Sequence, residues 1–428
     1  MDIKQPFLLK LYRGAMHLGA PLLHLMLLFR RWRGKEDARR IDERRGFASA
    51  LRPPGPLIWV HAASVGETLA VLQLISKLTS AGFEILLTTV TRTSAALAEQ
   101  RKGEHVTHQY VPVDQPQWLA HFLDHWQPQL AFFAEQELWP NTLAELEARN
   151  IPKILLNARL SDRSFRRWKR IPKIGQWLLT RFDLIIAQSE LDEKRLTRLG
   201  AQNIFNVGNL KFDAEAPPAR ALDVTTLSAL MKGRPVWAAA STHEGEEEQI
   251  LAQIVQLKLI YPTLVTLIAP RHPQRADKIV QLASLYGLKV AQRSLSQWPQ
   301  SSVDVFLLDT IGELGLIYRI ADIVFMGGSL IPHGGQNPIE PAQLNCALLY
   351  GPHVDNFTEI YNSLSAAGSA QCVRDAKDLR SSLRSLLDHP DEVKIMGVRA
   401  RDAVSRLGGA LDKTLRLIEP FLVKARQP

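Results

Sequence analysis

The chain is 428 residues long, enough for about three domains of roughly 150 residues or two of the larger α/β kind, and too long for one small module. With 46% hydrophobic and 22% charged residues, and 25 each of Gly and Pro without a repeat, its composition excludes disorder and collagen-like structure. Lys and Arg number 52 against 43 Asp and Glu, a net +9, but residues 1 to 45 alone hold 11 basic and 5 acidic side chains, so the excess is local.

The first element is an apolar helix. Sixteen residues, Gly14 to Phe29, contain no Lys, Arg, Asp or Glu. As a helix they span about 24 Å, short of a hydrocarbon core of about 30 Å. Pro21 and two histidines weaken a crossing further, and the basic run Arg30-Arg31-Trp32-Arg33-Gly34-Lys35 stands where a signal-peptide cleavage site would be needed. The pattern predicts a helix embedded in, or marginally crossing, a bilayer, held on its cytoplasmic side by basic residues against anionic lipid, with Trp32 at the interface. The alternative is a buried helix of the first domain followed by a solvated charge run. No nucleic-acid-binding module accompanies the cluster.

From residue 57, short apolar runs alternate with helical patterns, the signature of parallel sheets covered on both faces. Strands are expected at Leu57 to His61, Glu84 to Val90, Val106 to Val113, Leu130 to Ala134, Lys153 to Leu156, Leu184 to Gln188 and Ile204 to Val207. The stretch Asp213-Ala214-Glu215-Ala216-Pro217-Pro218-Ala219-Arg220 has no periodicity and reads as a linker. Strands resume at Val236 to Ala240, Leu264 to Ala269, Leu288 to Ala291, Val305 to Leu308, Ile323 to Met326 and Ala347 to Tyr350. The organisation read from this is a membrane-anchoring segment over 1–45, a Rossmann-like domain over 46–213, a linker over 214–228 and a second Rossmann-like domain over 229–428, whose last helix could pack back on the first. In such folds ligands bind beyond the carboxyl ends of the strands, so a cleft between the two halves is the default site.

No P-loop and no Gly-x-Gly-x-x-Gly after the first strand occurs, which removes most of the case for P-loop hydrolases and simple nicotinamide dehydrogenases. No His/Cys cluster has metal-ligand spacing, and Cys346 with Cys372 makes no disulfide framework, which fits a reducing compartment. The loops carry the chemistry instead. After the first strand, Ala62-Ala63-Ser64-Val65-Gly66-Glu67 allows close backbone approach and puts a carboxylate in the first helical turn. There Glu67 either accepts a proton from a substrate hydroxyl or completes a capping box with Ser64. Glu135-Gln136-Glu137-Leu138-Trp139-Pro140-Asn141 is a second acidic elbow, where Glu137 is a site group, a helix-start charge or a salt-bridge partner. The basic, aromatic run from Asn157 through Arg159 and Arg163 to Arg170 suits a phosphorylated or membrane-bound partner, or is a solvated helix face. Lys211 is a hinge lysine able to balance developing negative charge, or simply exposed. In the second half, Arg271 and the Gly-rich loops around Gly312-Glu313-Leu314-Gly315 and Gly327-Gly328 offer groups for phosphate, and Glu340 offers a carboxylate for ribose hydroxyls. Together they outline nucleotide-sugar chemistry.

The motifs His61-Ala62-Ala63-Ser64-Val65-Gly66-Glu67, Glu135 to Asn141, Asn157 to Ser164, Gly208-Asn209-Leu210-Lys211-Phe212-Asp213, Ser241-Thr242-His243-Glu244-Gly245-Glu246-Glu247-Glu248 and Asn337-Pro338-Ile339-Glu340-Pro341 together resemble the 3-deoxy-D-manno-octulosonic acid (Kdo) transferases of Gram-negative bacteria. They stand in that family's order between about residues 50 and 360; Gln336 departs from the family's usual His. The resemblance implies an α/β GT-B fold of two Rossmann-like domains with the active site in the cleft between them. It implies inverting transfer of Kdo, without cofactor or bound metal, from CMP-Kdo to the 6′-hydroxyl of lipid IVA, the tetraacyl lipid A precursor, at the cytoplasmic face of the inner membrane. The same groups would serve one transfer or two. By this resemblance the general base falls on Glu67 and transition-state stabilisation on Glu137 and Lys211. CMP contacts fall on Pro270, Arg271, Gly312, Glu313, Leu314, Asn337, Pro338, Ile339 and Glu340. Ser64, Gly66, Arg159 and Arg163 are candidates for holding the acceptor or the Kdo carboxylate. Membrane lipids are an expected partner and nucleic acid is not. The rival readings are a GT-B nucleotide-sugar epimerase, which gives the apolar N-terminus no role, and a non-catalytic membrane-surface binder, which has no need of Glu67, Glu137 and Lys211 together.

Overall fold

Strands short enough to be covered on both faces read as unbroken apolar runs, because successive side chains enter different cores. The computed structural model describes residues 5–101, 103–213 and 216–427, and the chain divides into two units. Unit 1 comprises 1–214 with 408–428, and unit 2 comprises 215–407.

Unit 1 holds β1 (Leu57–His61), β2 (Glu84–Thr89), β3 (Val106–Tyr110), β4 (Leu130–Ala134), β5 (Lys153–Ala158), β6 (Leu184–Ala187) and β7 (Ile204–Asn206). They form one parallel sheet in the order β3-β2-β1-β4-β5-β6-β7. Ile58 and Val60 enter a core with Val71 and Leu74 of the Val65–Ser80 helix, while Leu57 and Trp59 enter the opposite core with Phe122, Trp126 and Phe133. The first core is closed by the C-terminal helix Ala410–Ala425 through Leu411 and Ile418. The Asp213 carboxylate accepts the amides of Gly409 at 2.5 Å and Leu411 at 2.6 Å, satisfying donors that a helix start leaves open.

Unit 2 holds β8 (Val236–Thr242), β9 (Val265–Pro270), β10 (Val290–Gln292), β11 (Val305–Leu307), β12 (Ile323–Met326), β13 (Ala347–Tyr350) and β14 (Ala370–Cys372). Their order is β10-β11-β9-β8-β12-β13-β14, again all parallel. The edge strand β14 has no counterpart in the sequence reading, since of its three residues Gln371 and Cys372 are polar or small and exposed. The helix Ala221–Met231 begins inside the stretch 214–228. Ala214 and Glu215 of the expected linker lie outside the described residues, as do Met1 to Lys4 of the N-terminal segment, Lys102, and Pro428.

The N-terminal segment is two helices, Phe7–Leu18 and Ala20–Trp32, where one was expected. Pro21 explains the break: it has no amide proton, and its ring would strike the carbonyl one turn back, whereas at the start of a new helix neither cost arises. Among the described residues no helix is long and apolar enough to cross a membrane. Part of the basic flank is also spent inside the unit. Arg40 donates to Glu43 at 2.7 Å and to the His108 carbonyl at 2.8 Å, and Arg44 donates to the Val111 carbonyl. Arg31, Arg33 and Lys35 are exposed.

Candidate active site

In unit 1 the strand order reverses between β1 and β4, where the connections leaving the two carboxyl ends run to opposite faces and open a crevice. Both acidic elbows leave these two strand ends. Ser64 caps the Val65–Ser80 helix, its hydroxyl accepting the Glu67 amide at 3.3 Å. The Glu67 carboxylate closes the box, accepting from the Ala63 amide at 2.8 Å and the Ser64 hydroxyl at 2.9 Å. The capping reading of Glu67 is therefore met, by a side chain that is half-buried and not sealed from the crevice. Burial first, then the Glu137 and Glu135 charges, raise its pKa above the ordinary glutamate value; the Ala63 and Ser64 hydrogen bonds pull against them.

Glu137 is reached from β1 by His61, whose Nε2 lies 3.2 Å from the carboxylate, and from its own loop by the Trp139 indole N–H. Burial opposes ionisation of Glu137, but these two donors outweigh it and hold the carboxyl below its ordinary value. Lys211, in the short turn Leu210–Asp213, donates through Nζ to Glu135 at 2.6 Å. The turn is fixed from β5: the fully buried Asn157, at φ 51°, accepts the Leu210 amide at 3.0 Å. A Cβ added to Gly66 would stand 3.9 Å from Lys211 Nζ, so the glycine backbone and the ammonium are neighbours. Ser64, Gly66, Glu67, Glu137 and Lys211 thus meet in one crevice. Arg159 follows β5 exposed, with its amide on the Glu135 carbonyl at 3.3 Å; Arg163 is exposed on the Asp162–Trp168 helix, a face that supplies solvated charge.

Sequence reasoning assigned no role to His61 or Glu135. Each acts on a residue 76 positions away: the β1–β4 pairing brings His61 to Glu137, and the turn after β7, held by Asn157 of β5, brings Lys211 to Glu135.

In unit 2 the corresponding reversal lies between β8 and β12. Pro270 ends β9, and exposed Arg271 donates its amide to the Thr242 carbonyl at 2.9 Å. Gly312 turns at φ 86° after β11, a conformation suited to glycine. The Glu313 carboxylate is engaged by Arg293 at 2.8 Å, and Arg293 also holds Asp223 at 2.7 Å; this ion pair chiefly keeps Glu313 below its ordinary pKa. Glu313 and Leu314 thus offer a ligand backbone amides more readily than a free carboxylate. Asn337 accepts the Ile339 amide at 3.1 Å, and Pro338, Ile339 and half-buried Glu340 form the start of the Ile339–Gln343 helix after β12. Gln336 places its amide 3.0 Å from His243 Nε2. Burial, then His333, His272, Arg271 and Arg275, push His243 down to about 4, so its neutral ring can accept that contact.

Two acids of the Ser241–Glu248 motif are scaffold. Glu246, fully buried, accepts the amides of His243, Gly328, Ser329 and Leu330 at 2.6 to 3.0 Å, and Glu247 takes a two-pronged pair from Arg275 at 2.7 and 3.1 Å. Among the described residues no group of His, Cys, Asp and Glu is arranged to hold a metal ion.

Comparison with known proteins places this geometry. A family model described as 3-deoxy-D-manno-octulosonic-acid transferase (kdotransferase) matches residues 39–214. The 3-deoxy-D-manno-octulosonic acid transferase of Haemophilus influenzae is 36% identical over 390 residues, covering 90% of this chain and 91% of its own. Among solved structures, a glycosyltransferase from Rickettsia africae matches with a TM-score of 0.56 at 14% identity, over 86% of this chain and 99% of its own. The UDP-GlcNAc 2-epimerase of Neisseria meningitidis bound to UDP-GlcNAc matches with a TM-score of 0.56 at 14% identity, over 86% and 100%. At those identities the two structures show the fold alone, which is the GT-B type; the sequence relationship goes further. With more than a third of its residues shared over nine-tenths of its length, the chain belongs to the 3-deoxy-D-manno-octulosonic acid transferase family and is a glycosyltransferase of that sugar.

Proposed function

We propose that the chain moves Kdo from CMP-Kdo to the 6′-hydroxyl of lipid IVA with inversion, unit 1 supplying the base and acceptor contacts and unit 2 the donor contacts. The observation that carries this reading is the crevice at β1 and β4, where Glu67 lies among two further carboxylates and one lysine. A sugar hydroxyl is a poor nucleophile near neutral pH, and a carboxylate with a raised pKa removes its proton more effectively, a gain of about 100- to 10,000-fold. The acceptor oxygen attacks the anomeric carbon, its proton passes to Glu67, and the bond to the CMP phosphate breaks with the electron pair leaving on phosphate. Glu137 stabilises the positive character that builds on the sugar, while Lys211 offsets the carboxylate charge and meets the Kdo carboxylate together with the amides from Ser64 to Gly66. On unit 2, Pro270, Arg271, Gly312 to Leu314 and Asn337 to Glu340 would hold CMP, Arg271 meeting the departing phosphate.

We place the enzyme at the cytoplasmic face of the inner membrane. The two N-terminal helices leave Phe7 77%, Leu18 82%, Leu22 71% and Trp32 80% exposed beside Arg31, Arg33 and Lys35, an apolar surface next to cations. Arg159 and Arg163 would face lipid phosphates. The test is to incubate the purified protein with CMP-Kdo and lipid IVA and weigh the lipid. A gain of one Kdo mass or a multiple is expected, and its anomeric configuration reports inversion. An unchanged lipid mass rejects the reading.

A further inference from the structure

The β1–β2 register sets His61 opposite Thr88, and that pairing determines what the histidine can do. His61 is fully buried, with Nδ1 2.9 Å from the Thr88 hydroxyl and 3.2 Å from the Thr88 carbonyl, and Nε2 3.2 Å from Glu137. The indole N–H of Trp59 can only donate, and it does so to the same hydroxyl at 2.8 Å. The hydroxyl proton is then free to point at Nδ1. The Thr88 carbonyl already accepts the Ala62 amide at 3.0 Å and keeps a second lone pair for Nδ1.

Thr88 therefore offers Nδ1 a donor and an acceptor at once. When His61 is neutral, the hydroxyl donates to bare Nδ1 and the ring proton sits on Nε2. When His61 is protonated, Nδ1–H donates to the carbonyl and Nε2 keeps its proton. The remaining tautomer would turn an Nε2 lone pair on the Glu137 carboxylate and is excluded by repulsion. We propose that His61 is the positioning residue for Glu137, presenting Nε2–H to that carboxylate in both of its own protonation states because Thr88 accommodates either state without rearrangement. The proposal rests on Glu137 acting in transfer as an anion. The charged groups around the pair are Glu67 from the first helix of the sheet, Glu135 from the end of β4 and Lys211 from the turn after β7, with the Trp139 indole as the other donor to Glu137. Without His61, Glu137 would gain a proton more easily beside two other carboxylates, so acid inactivation would change from one proton to two.

The experiment uses the full-length chain. His61→Asn shortens the side chain so that it no longer reaches Glu137. Thr88→Val removes the hydroxyl at nearly constant shape, and Thr88→Ser restores it. For His61→Asn we expect turnover to fall on the order of 10- to 100-fold, with the acid limb of kcat moving up by about one pH unit, the size expected for a lost hydrogen bond to a charged group, and becoming steeper. Thr88→Val should move the limb the same way by less, and Thr88→Ser should return it. If His61→Asn does not fold, the Thr88 pair carries the test. A lower plateau with an unmoved limb would mean an ordinary packing role and overturn the proposal, as would wild-type turnover. Nitrogen NMR of histidine-labelled protein reads the contact without activity: the His61 Nε2 should carry a proton at every pH at which the protein is folded, and its signal should shift in Glu137→Gln. An unprotonated Nε2 at high pH overturns the proposal. Unchanged turnover in Glu137→Gln would instead overturn the functional reading, leaving the NMR result to judge the contact.

Discussion

At the scale of single residues, the carboxylate proposed above as the base, Glu67, also closes a helix cap with the same atoms. The sign of its pH dependence follows from the raised pKa. A base must be ionised, so activity is lost as pH falls through a value above the ordinary glutamate range. The stability term runs the other way: a carboxyl that binds its proton more tightly when folded contributes most below its unfolded pKa, and that contribution fades as pH rises through the folded one. Glu67→Gln therefore trades a weakened cap against relief from burying charge. We expect kcat to fall about 100- to 10,000-fold, stability to change by no more than about 1 kcal/mol, and CMP affinity to be unchanged, as read by turnover, thermal unfolding and calorimetry. Turnover within a few-fold of wild type would remove Glu67 as the base. Glu67, Glu137 and Lys211 were nominated from motifs that resemble those of the Kdo transferases, while the local pattern of each alone left a capping, salt-bridge or exposed reading equally open. His61 and Glu135 were not, because neither pattern nor spacing reports that one faces Thr88 and Glu137 and the other holds Lys211.

At the scale of elements, central strands such as β1, β4 and β12 were legible because both faces are buried and the apolar runs are unbroken. β14 was not, since Ala370-Gln371-Cys372 contains no large apolar residue, unlike the equally short edge strands β7 and β10. The N-terminal break was written in Pro21 yet read through, because apolar composition continues on both sides of it. Glu246 shows how an element can depend on one side chain. A single carboxylate gathers four amides from the loops after β8 and β12, and glutamine, with one acceptor oxygen and an amide group, would leave some of them unmet. Glu246→Gln should cost about 1–3 kcal/mol in denaturant unfolding and weaken CMP binding by loosening the Gly327–Leu330 loop. Equal stability in the two proteins would show that water replaces the carboxylate.

At the scale of the whole molecule, the concentration of positive charge in the first 45 residues is divided between two uses. Arg40 and Arg44 are consumed in holding residues 39–45 to β3 and the segment after it, whereas Arg31, Arg33 and Lys35 remain at the surface beside the exposed apolar side chains. Replacing these three by glutamine should weaken binding to vesicles containing anionic lipid roughly 100-fold at low salt, at about 1 kcal/mol per charge, and leave binding to neutral vesicles nearly unchanged. Equal loss on both vesicle types would assign the attachment to apolar contact alone.

The C-terminal helix has a consequence for how the polypeptide is born. Residues 215–407 are inserted into a unit whose covering helix, Ala410–Ala425, leaves the ribosome only after both sheets have been made. Until then the core that Ile58 and Val60 share with Val71 of the Val65–Ser80 helix lacks the cover of Leu411 and Ile418, although every strand of that sheet has already been made. The second unit can be synthesised and folded in full while the first still waits with an uncovered apolar surface. Nascent chains stalled before residue 408 should therefore be the form that aggregates or recruits holding chaperones, and emergence of the Ala410–Ala425 helix the event that ends that vulnerability.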